Sequence, residues 1–302
     1  MDSKAEIRQF LASRRAKIAP EQAGLPMFGG NRRVAGLRRE EVALLAGVSV
    51  DYYTRLERGN LAGASESVLD AVARALQLDE AESAHLFDLA RAAAVRPGAR
   101  GPRRPAGSKI RPGVQRVLDA ITDAPAWVRN GRMDFLAANQ LGAALYAPLL
   151  DSPARPTNNA RFMFLDPAAK DFYLDWDRSA GDTVAILRQE AGRDPYDKAL
   201  TDLVGELSTR SEEFRVRWAA HNVRFHRTGV KQVRHPVVGE LDLRYEAMEL
   251  SADNGLVLFV YTAEPDTATE QALSFLASWA ATRDSAVADG TAHPRAAVTT
   301  DE

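Results

Sequence analysis

Apolar positions in the first ninety residues recur at helical intervals. Over residues 5–18, Ile7, Phe10, Leu11 and Ile18 share one face while Arg14, Arg15 and Lys17 lie elsewhere, which predicts an amphipathic first helix. Residues 20–30 (PEQAGLPMFGG) predict a loop through their proline and glycine content. Residues 36–59, GLRREEVALLAGVSVDYYTRLERG, predict helix, tight turn, helix. Leu37, Val42, Leu45 and Ala46 form one apolar face. Gly47 admits a turn that a Cβ would crowd, and Ser49 is a good N-cap for the second helix. Tyr53 and Leu56, three apart, turn inward, and Gly59 follows Arg58 where a helix C-terminus favours glycine. Residues 65–76 predict a fourth helix, capped by Ser65 or Ser67, with Val68, Leu69, Val72 and Leu76 as its buried stripe. Asp79 and Glu82 then have capping-box spacing and open a fifth through Leu86, Phe87, Leu89 and Ala90.

Residues 95–113 (VRPGARGPRRPAGSKIRPG) break the pattern. Four prolines, four glycines and six basic residues cannot bury a core and predict a flexible or partly extended linker. Its Arg100, Arg103 and Arg104 serve either solubility or non-specific phosphate affinity. Beyond it, residues 114–122 predict a short helix with Val114, Val117, Leu118 and Ile121 on one face. PAWVRN and MDFLAAN predict two strands around the hairpin turn Asn130-Gly131, and Asn139 opens the helix QLGAALYAPL. RFMFLDP is an apolar segment closed by Asp166-Pro167. Helices are predicted at about 168–191, 195–210 and 212–221. The period then becomes two, and VRFHRTG, KQVRHPVVGELDLRYEAMEL and LVLFVYTAEP predict antiparallel strands. Leu241, Leu243 and Tyr245 alternate with Asp242, Arg244 and Glu246, which gives one buried and one solvated face. A helix at 269–281 closes an α+β module, a mixed sheet with helices on one side. The resulting division is 1–94, a linker at 95–113, 114–283, and a flexible tail at 284–302.

Charge sharpens that division. Residues 1–110 carry 18 Lys+Arg against 13 Asp+Glu, a net of +5, and the remainder carries 21 against 28, a net of −7. A basic front and an acidic rear suit a nucleic-acid module joined to one that does not touch phosphate. Four arginines in the eight residues 32–39 (RRVAGLRR) stand at the entry to the second helix, where Arg32, Arg33, Arg38 and Arg39 are candidates for phosphate contact. The chain has no cysteine, which excludes disulfides, thiolate redox sensing and Cys-held clusters. It has no apolar run near the roughly 18 residues that span a bilayer, and MDSKAEIRQF has no signal-peptide core. The expectation is a cytoplasmic protein with no membrane partner.

The stretch AGVSVDYYTRLERG resembles the core of the phage-repressor (Cro/repressor-like, XRE) helix-turn-helix family, and the front half resembles in particular the MmyB-like regulators. The likeness continues through PAWVRNGRMDFLAANQLGAALY, FMFLDP, WDRSAGDTVAILRQEAGRDPYD, HNVRFHRTGVKQVRHPVVGELDLRYE and VYTAEP, and so covers most of residues 5–280. It implies an all-α front domain of five helices that reads double-stranded DNA. It also implies an α+β rear domain with a PAS-like fold whose antiparallel sheet and helices hold a fatty-acid-like or other apolar molecule. By the family pattern, Val50, Asp51 and Arg55 match base-reading positions, Tyr52 a phosphate contact and Tyr53 the core, with Ser49 and Arg58 flanking the reader. Arg55 suits a guanine edge and Val50 a thymine methyl; Asp51 suits a cytosine amino group or the helix dipole equally. The family often has Gln where this chain has Arg39 and a polar residue where it has Val50, which bears on the operator sequence. A homodimer on a palindromic site is the family habit.

For the rear domain, Leu136, Phe164, Trp218, Leu243, Tyr245 and Tyr261 are inward-type positions that either line a cavity or pack a core, and Asn139 stands beside them. A bound carboxylate would need a donor, for which His221, Arg224, His235 and Arg244 are available. An enzyme is the rival class, yet G-x-S-x-G, H-E-x-x-H, a P-loop and a strand-linked G-x-G-x-x-G are all missing. His221 and His226, five apart on an expected strand, would face opposite ways, so no metal site with His235 is expected. Neither a cofactor nor catalysis is expected. The alternative is a regulator whose rear domain is a protein-interaction or dimerisation module with no small ligand.

Overall fold

The computed structural model describes residues 3–25, 34–94, 110–224, 227–253 and 255–288. Among them the elements run in chain order as α1 (Ser3–Lys17), α2 (Arg39–Leu45), α3 (Val50–Glu57), α4 (Glu66–Ala75), α5 (Glu80–Ala94), α6 (Pro112–Ala120), β1 (Ala126–Arg129), β2 (Phe135–Ala138), α7 (Gln140–Leu145), α8 (Ala147–Asp151), α9 (Asn159–Leu165), α10 (Ala168–Phe172), α11 (Trp176–Arg193), α12 (Lys198–Arg210), α13 (Glu212–Ala219), β3 (Thr228–His235), β4 (Gly239–Glu249), β5 (Val257–Thr262) and α14 (Ala268–Ala288). They divide into two compact units. One lies within Met1–Arg103 and Val184–Phe225, the other within Arg104–Thr183 and His226–Glu302. Residues 184–224, which the sequence pattern groups with the rear half, therefore lie with the front helices.

The helical unit buries the predicted stripes. Ile7, Phe10 and Leu11 of α1, Leu37, Val42, Tyr53, Leu56, Leu69, Val72, Leu86 and Leu89 form one cluster, joined by Val223. Each such side chain withdrawn from water contributes about 1.5–3 kcal/mol of transfer free energy. Ser49 Oγ accepts from Tyr52 N at 3.1 Å and Ser65 Oγ from Val68 N at 3.4 Å, so both predicted caps form. The capping box forms as well: Asp79 N donates to Glu82 and Glu82 N to Asp79, at 3.2 and 2.8 Å. Gly47, at φ 67°, makes the turn between α2 and α3. Two expectations fail. Leu45 is 37% exposed and Ala43 takes its place in the core, because the short α2 turns residues 42, 43 and 46 inward. Arg14 is 2% exposed rather than solvated, held by the polar groups described below.

In the sheet unit the five strands are antiparallel throughout, in the order β2-β1-β5-β4-β3. The predicted alternation of β4 holds: Leu241, Leu243 and Tyr245 are buried and their neighbours exposed. Helices do not cover one side only. Trp127 and Phe259 face each other across β1 and β5 in a stacked pair. The alternate residues Ala126, Val128 and Leu258 pack with Val114 and Leu118 of α6 on the opposite face. All of β1 is consequently buried.

Local chemistry corrects three further expectations. The β1–β2 connection spans Asn130 to Asp134, with Met133 rather than Gly131 at positive φ, 66°. Asn130 closes it, accepting from Asp134 N at 3.0 Å and donating to the Asp134 carboxylate at 2.8 Å. The expected helix at 168–191 is broken between α10 and α11, where Tyr173 bridges Val233 and Leu174 N donates to Gln232 O at 3.2 Å. Residues 223 and 224 are not strand; β3 begins at Thr228. The segment RFMFL, read only as apolar, forms α9 behind the Asn158 cap.

Candidate nucleic-acid interface and the sheet-unit core

What fixes α3 is a carboxylate. Glu57, in its last turn, is 1% exposed. Arg15 of α1 donates to it through Nε and Nη2, both at 2.9 Å, and Arg39 of α2 through Nε and Nη2, both at 3.0 Å. Burial would raise this carboxyl, but the bonds from the two guanidinium groups outweigh it and hold it below the usual carboxylate range. Three helices of the unit thus meet on one anion. Sequence reading missed Glu57, because a glutamate near a helix end gives no signal of where its partner lies.

The anchored helix turns its other side outward. Ser49, Val50, Asp51, Arg55 and Arg58 are exposed, Val50 by 46%. Tyr52 is half-buried, and the Arg55 guanidinium lies over its ring, 4.8 Å from the centroid. Tyr53 is fully buried, as expected of a core residue. Arg38 stands before α2, half-exposed and 3.4 Å from Glu40, while its backbone N donates to Glu41 at 2.6 Å. Arg39 is also half-exposed, but its guanidinium is bound to Glu57 as well as facing solvent. Arg32, Arg33 and the linker arginines lie outside the described residues.

The inner face of the sheet is aromatic. Trp127 stacks on Phe135 at 4.9 Å and touches Tyr146 at 5.0 Å; Tyr245 approaches Phe259 and Tyr261 at 6.0 and 6.1 Å. The Tyr146 and Tyr261 hydroxyls bond each other at 2.6 Å, and Tyr173 OH donates to Asn159 at 2.8 Å. Burial pushes the phenols of all four tyrosines, 146, 173, 245 and 261, above their ordinary range. The Trp127 indole N–H is buried with no hydrogen-bond partner. Lys231 of β3 lies over the Tyr173 ring and donates to Ser179 Oγ at 3.2 Å. Burial lowers its ammonium to about 8, against the opposing charge of Asp182.

The structure brings some of the predicted cavity residues together and separates others. Leu243, Tyr245 and Tyr261 share this inner face. Phe164 is buried edge-on to Trp176 at 6.0 Å. Leu136 packs instead with the α6 cluster, on the far side of the sheet. Asn139 caps α7: its oxygen accepts from Ala126 N and Gly142 N, and its amide donates to Ile121 O and Ala124 O, at 2.6–2.9 Å. Its capacity is thereby filled. His235 is similarly occupied, with Nε2 3.1 Å from Ala144 O and Nδ1 accepting from Val237 N at 3.2 Å. Trp218 and His221 belong to the helical unit. His221 is not on a strand edge; it follows α13 at φ 52°. Among the described residues no group of three or more His, Asp or Glu side chains is placed to hold a metal ion, and no helix is long and apolar enough to cross a membrane.

A second buried ionic group lies in the helical unit. Arg188 of α11 is fully buried. It donates to Glu6 of α1 and to Trp218 O, lies 2.8 Å from His221 Nδ1, and stacks on the Trp218 ring at 4.1 Å. Arg14 donates to His221 O and stands 3.1 Å from Glu82. Burial opposes ionisation of Glu6, but the bond from His221 and the charge of Arg188 prevail and hold it at about 2. His85 is buried beside them without a hydrogen-bond partner, and burial drops it to about 3.

Two family comparisons bear on these surfaces. Residues 110–276 match the family described as the MmyB-like transcription regulator ligand binding domain. Residues 10–86 match a helix-turn-helix domain. A comparison with curated proteins finds no match. The first match includes the residues after Val184 that pack in the helical unit, and the second contains Glu57 and the exposed turn of α3.

Proposed function

The chain belongs to the MmyB-like transcription regulators, and on that premise we propose that α3 reads an operator sequence in the major groove. It is a DNA-binding transcription regulator with a ligand-binding domain. The observation that carries the finer reading is the exposed face of α3. Val50, Asp51 and Arg55 point outward from a helix pinned by Tyr53, Leu56 and Glu57. Arg55 has donors to offer a guanine edge, and Tyr52 beneath it restricts its side chain before DNA arrives. Arg38, and Arg39 with its remaining donors, supply phosphate contact, together with Arg32 and Arg33. The protein acts in the cytoplasm as a homodimer whose two readers sit about 34–36 Å apart on a palindrome.

In the rear half, the reading is a PAS-like sensor for a fatty-acid-like molecule, supported by an antiparallel sheet whose inner face is buried and largely aromatic. A ligand shifts the regulator only through different affinities for its two states. Arg55→Ala in the full chain tests the first half on an operator selected from random DNA. Specific affinity should fall by about 1–3 kcal/mol while the unfolding curve is unchanged, and unaltered specificity would refute the placement. Native mass spectrometry of the isolated protein tests the second. A co-purifying lipid mass supports the sensor; a bare chain that still associates through the rear half supports an interaction module.

A further inference from the structure

Helix α11 is continuous from Trp176 to Arg193. Its residues through Thr183 count with the sheet unit, and those from Val184 with the helical unit. Each end is gripped by its own unit. At the start, the Trp176 indole donates to Met163 O at 3.2 Å, Lys170 lies over its ring at 4.8 Å, and Ser179 Oγ accepts from Lys231 of β3. At the end, Arg188 is held by Glu6, His221 and the Trp218 ring, and Gly192 lets α11 press against His85. A Cβ on Gly192 would lie 2.6 Å from the imidazole.

The stretch between the grips is weak helix. Gly181 has no packing reason for being glycine: a Cβ there would meet nothing within 4 Å, and its φ is not left-handed. Glycine in a helix interior costs about 0.8–1.0 kcal/mol relative to alanine. Two residues on, Thr183 Oγ1 donates to Ser179 O at 2.8 Å, a back-bond that competes with the helix ladder and bends helices. Gly181 and the Thr183–Ser179 back-bond thus put two softening features within five residues, immediately before the change of unit.

We propose that α11 is a jointed transmission element in which residues 179–183 are the compliant joint and Arg188 is the fixed point in the DNA-reading unit. A change at the Ser179–Lys231 grip then reaches α1 through Arg188 and Glu6, attenuated by the joint. Nothing in this depends on what the rear domain binds, and a chain that takes no small molecule would behave alike.

Amide hydrogen exchange on the full chain, with neither DNA nor ligand, tests it. Lys231→Met loosens the first grip and is expected to speed exchange several-fold in residues 184–193 and 3–17. Gly181→Ala, which adds a methyl in open space, stiffens the joint and should enlarge that effect. The pair Glu6→Gln with Arg188→Met releases the second grip, so Lys231→Met should then no longer reach residues 3–17. Where Lys231→Met fails to fold, Trp176→Phe, which removes the bond to Met163 O and shrinks the ring that Lys170 and Phe164 meet, is read in the same way. Exchange changes confined to 110–183 and 227–288 would overturn the transmission, and an effect not enlarged by Gly181→Ala would overturn the joint.

Discussion

Glu57→Gln tests the packing that positions the reader. The substitution keeps size and shape but removes the charge and turns one oxygen into an N–H donor facing guanidinium donors. Four N–H···O bonds at 2.9–3.0 Å converge on the wild-type carboxylate. Valuing each separately would overcount, because the four share one anion. Breaking a buried ion pair costs about 3–5 kcal/mol when the surviving charge stays dry. Arg39, at 49% exposure, rehydrates readily, and Arg15, at 16%, does so only in part. The cost is therefore about 2–4 kcal/mol after that recovery. Denaturant unfolding, read by exchange of α1 and α3 amides, should show that loss, and operator binding should weaken with it because α3 is no longer tied to α2. Adding Arg15→Met to the variant should cost less than the sum of the two changes. A loss below about 0.5 kcal/mol, the level of an ordinary surface change, would mean that Glu57 does not organise the helix pair.

Three further expectations follow from buried groups. His85 is neutral in the folded chain down to about pH 3 but protonates near its usual 6.5 when unfolded. Its contribution is therefore complete above pH 6.5 and lost as pH falls from there towards 3, at up to about 1.4 kcal/mol per pH unit. Glu6, Arg14, Arg188 and His221 face it. His85→Leu should flatten unfolding stability between pH 6.5 and 4.5, and an unaltered slope would refute the burial argument. Asn139→Leu leaves two N–H groups and two carbonyls without their partner and should destabilise the sheet unit by about 2–4 kcal/mol in urea titrations; a loss under about 1 kcal/mol would show that water replaces the amide. Gly192→Ala forces a methyl against the His85 ring, with a thermal unfolding penalty of about 1–3 kcal/mol from overpacking, whereas Gly181→Ala should be neutral or stabilising.

Most of the local structure is legible in the order of residues alone. Period 3.6 placed α1 to α5, Ser49, Ser65 and the Asp79–Glu82 pair placed three helix starts, and period 2 placed β4 and β5. These features are written in neighbouring residues, through backbone geometry and side-chain caps that reach no more than a turn along the chain. The exposed side of α3 was legible for the same reason, as the complement of the buried Tyr53–Leu56 face. Long-range packing is what makes Arg14 and Arg188 interior, turns Leu136 towards α6 rather than the aromatic set, and groups 184–224 with the front helices. Glu6 and Arg188 stand 182 residues apart. No periodicity marks such a pair, because a charged side chain on a helix looks solvated until a distant carboxylate offsets the cost of burying it.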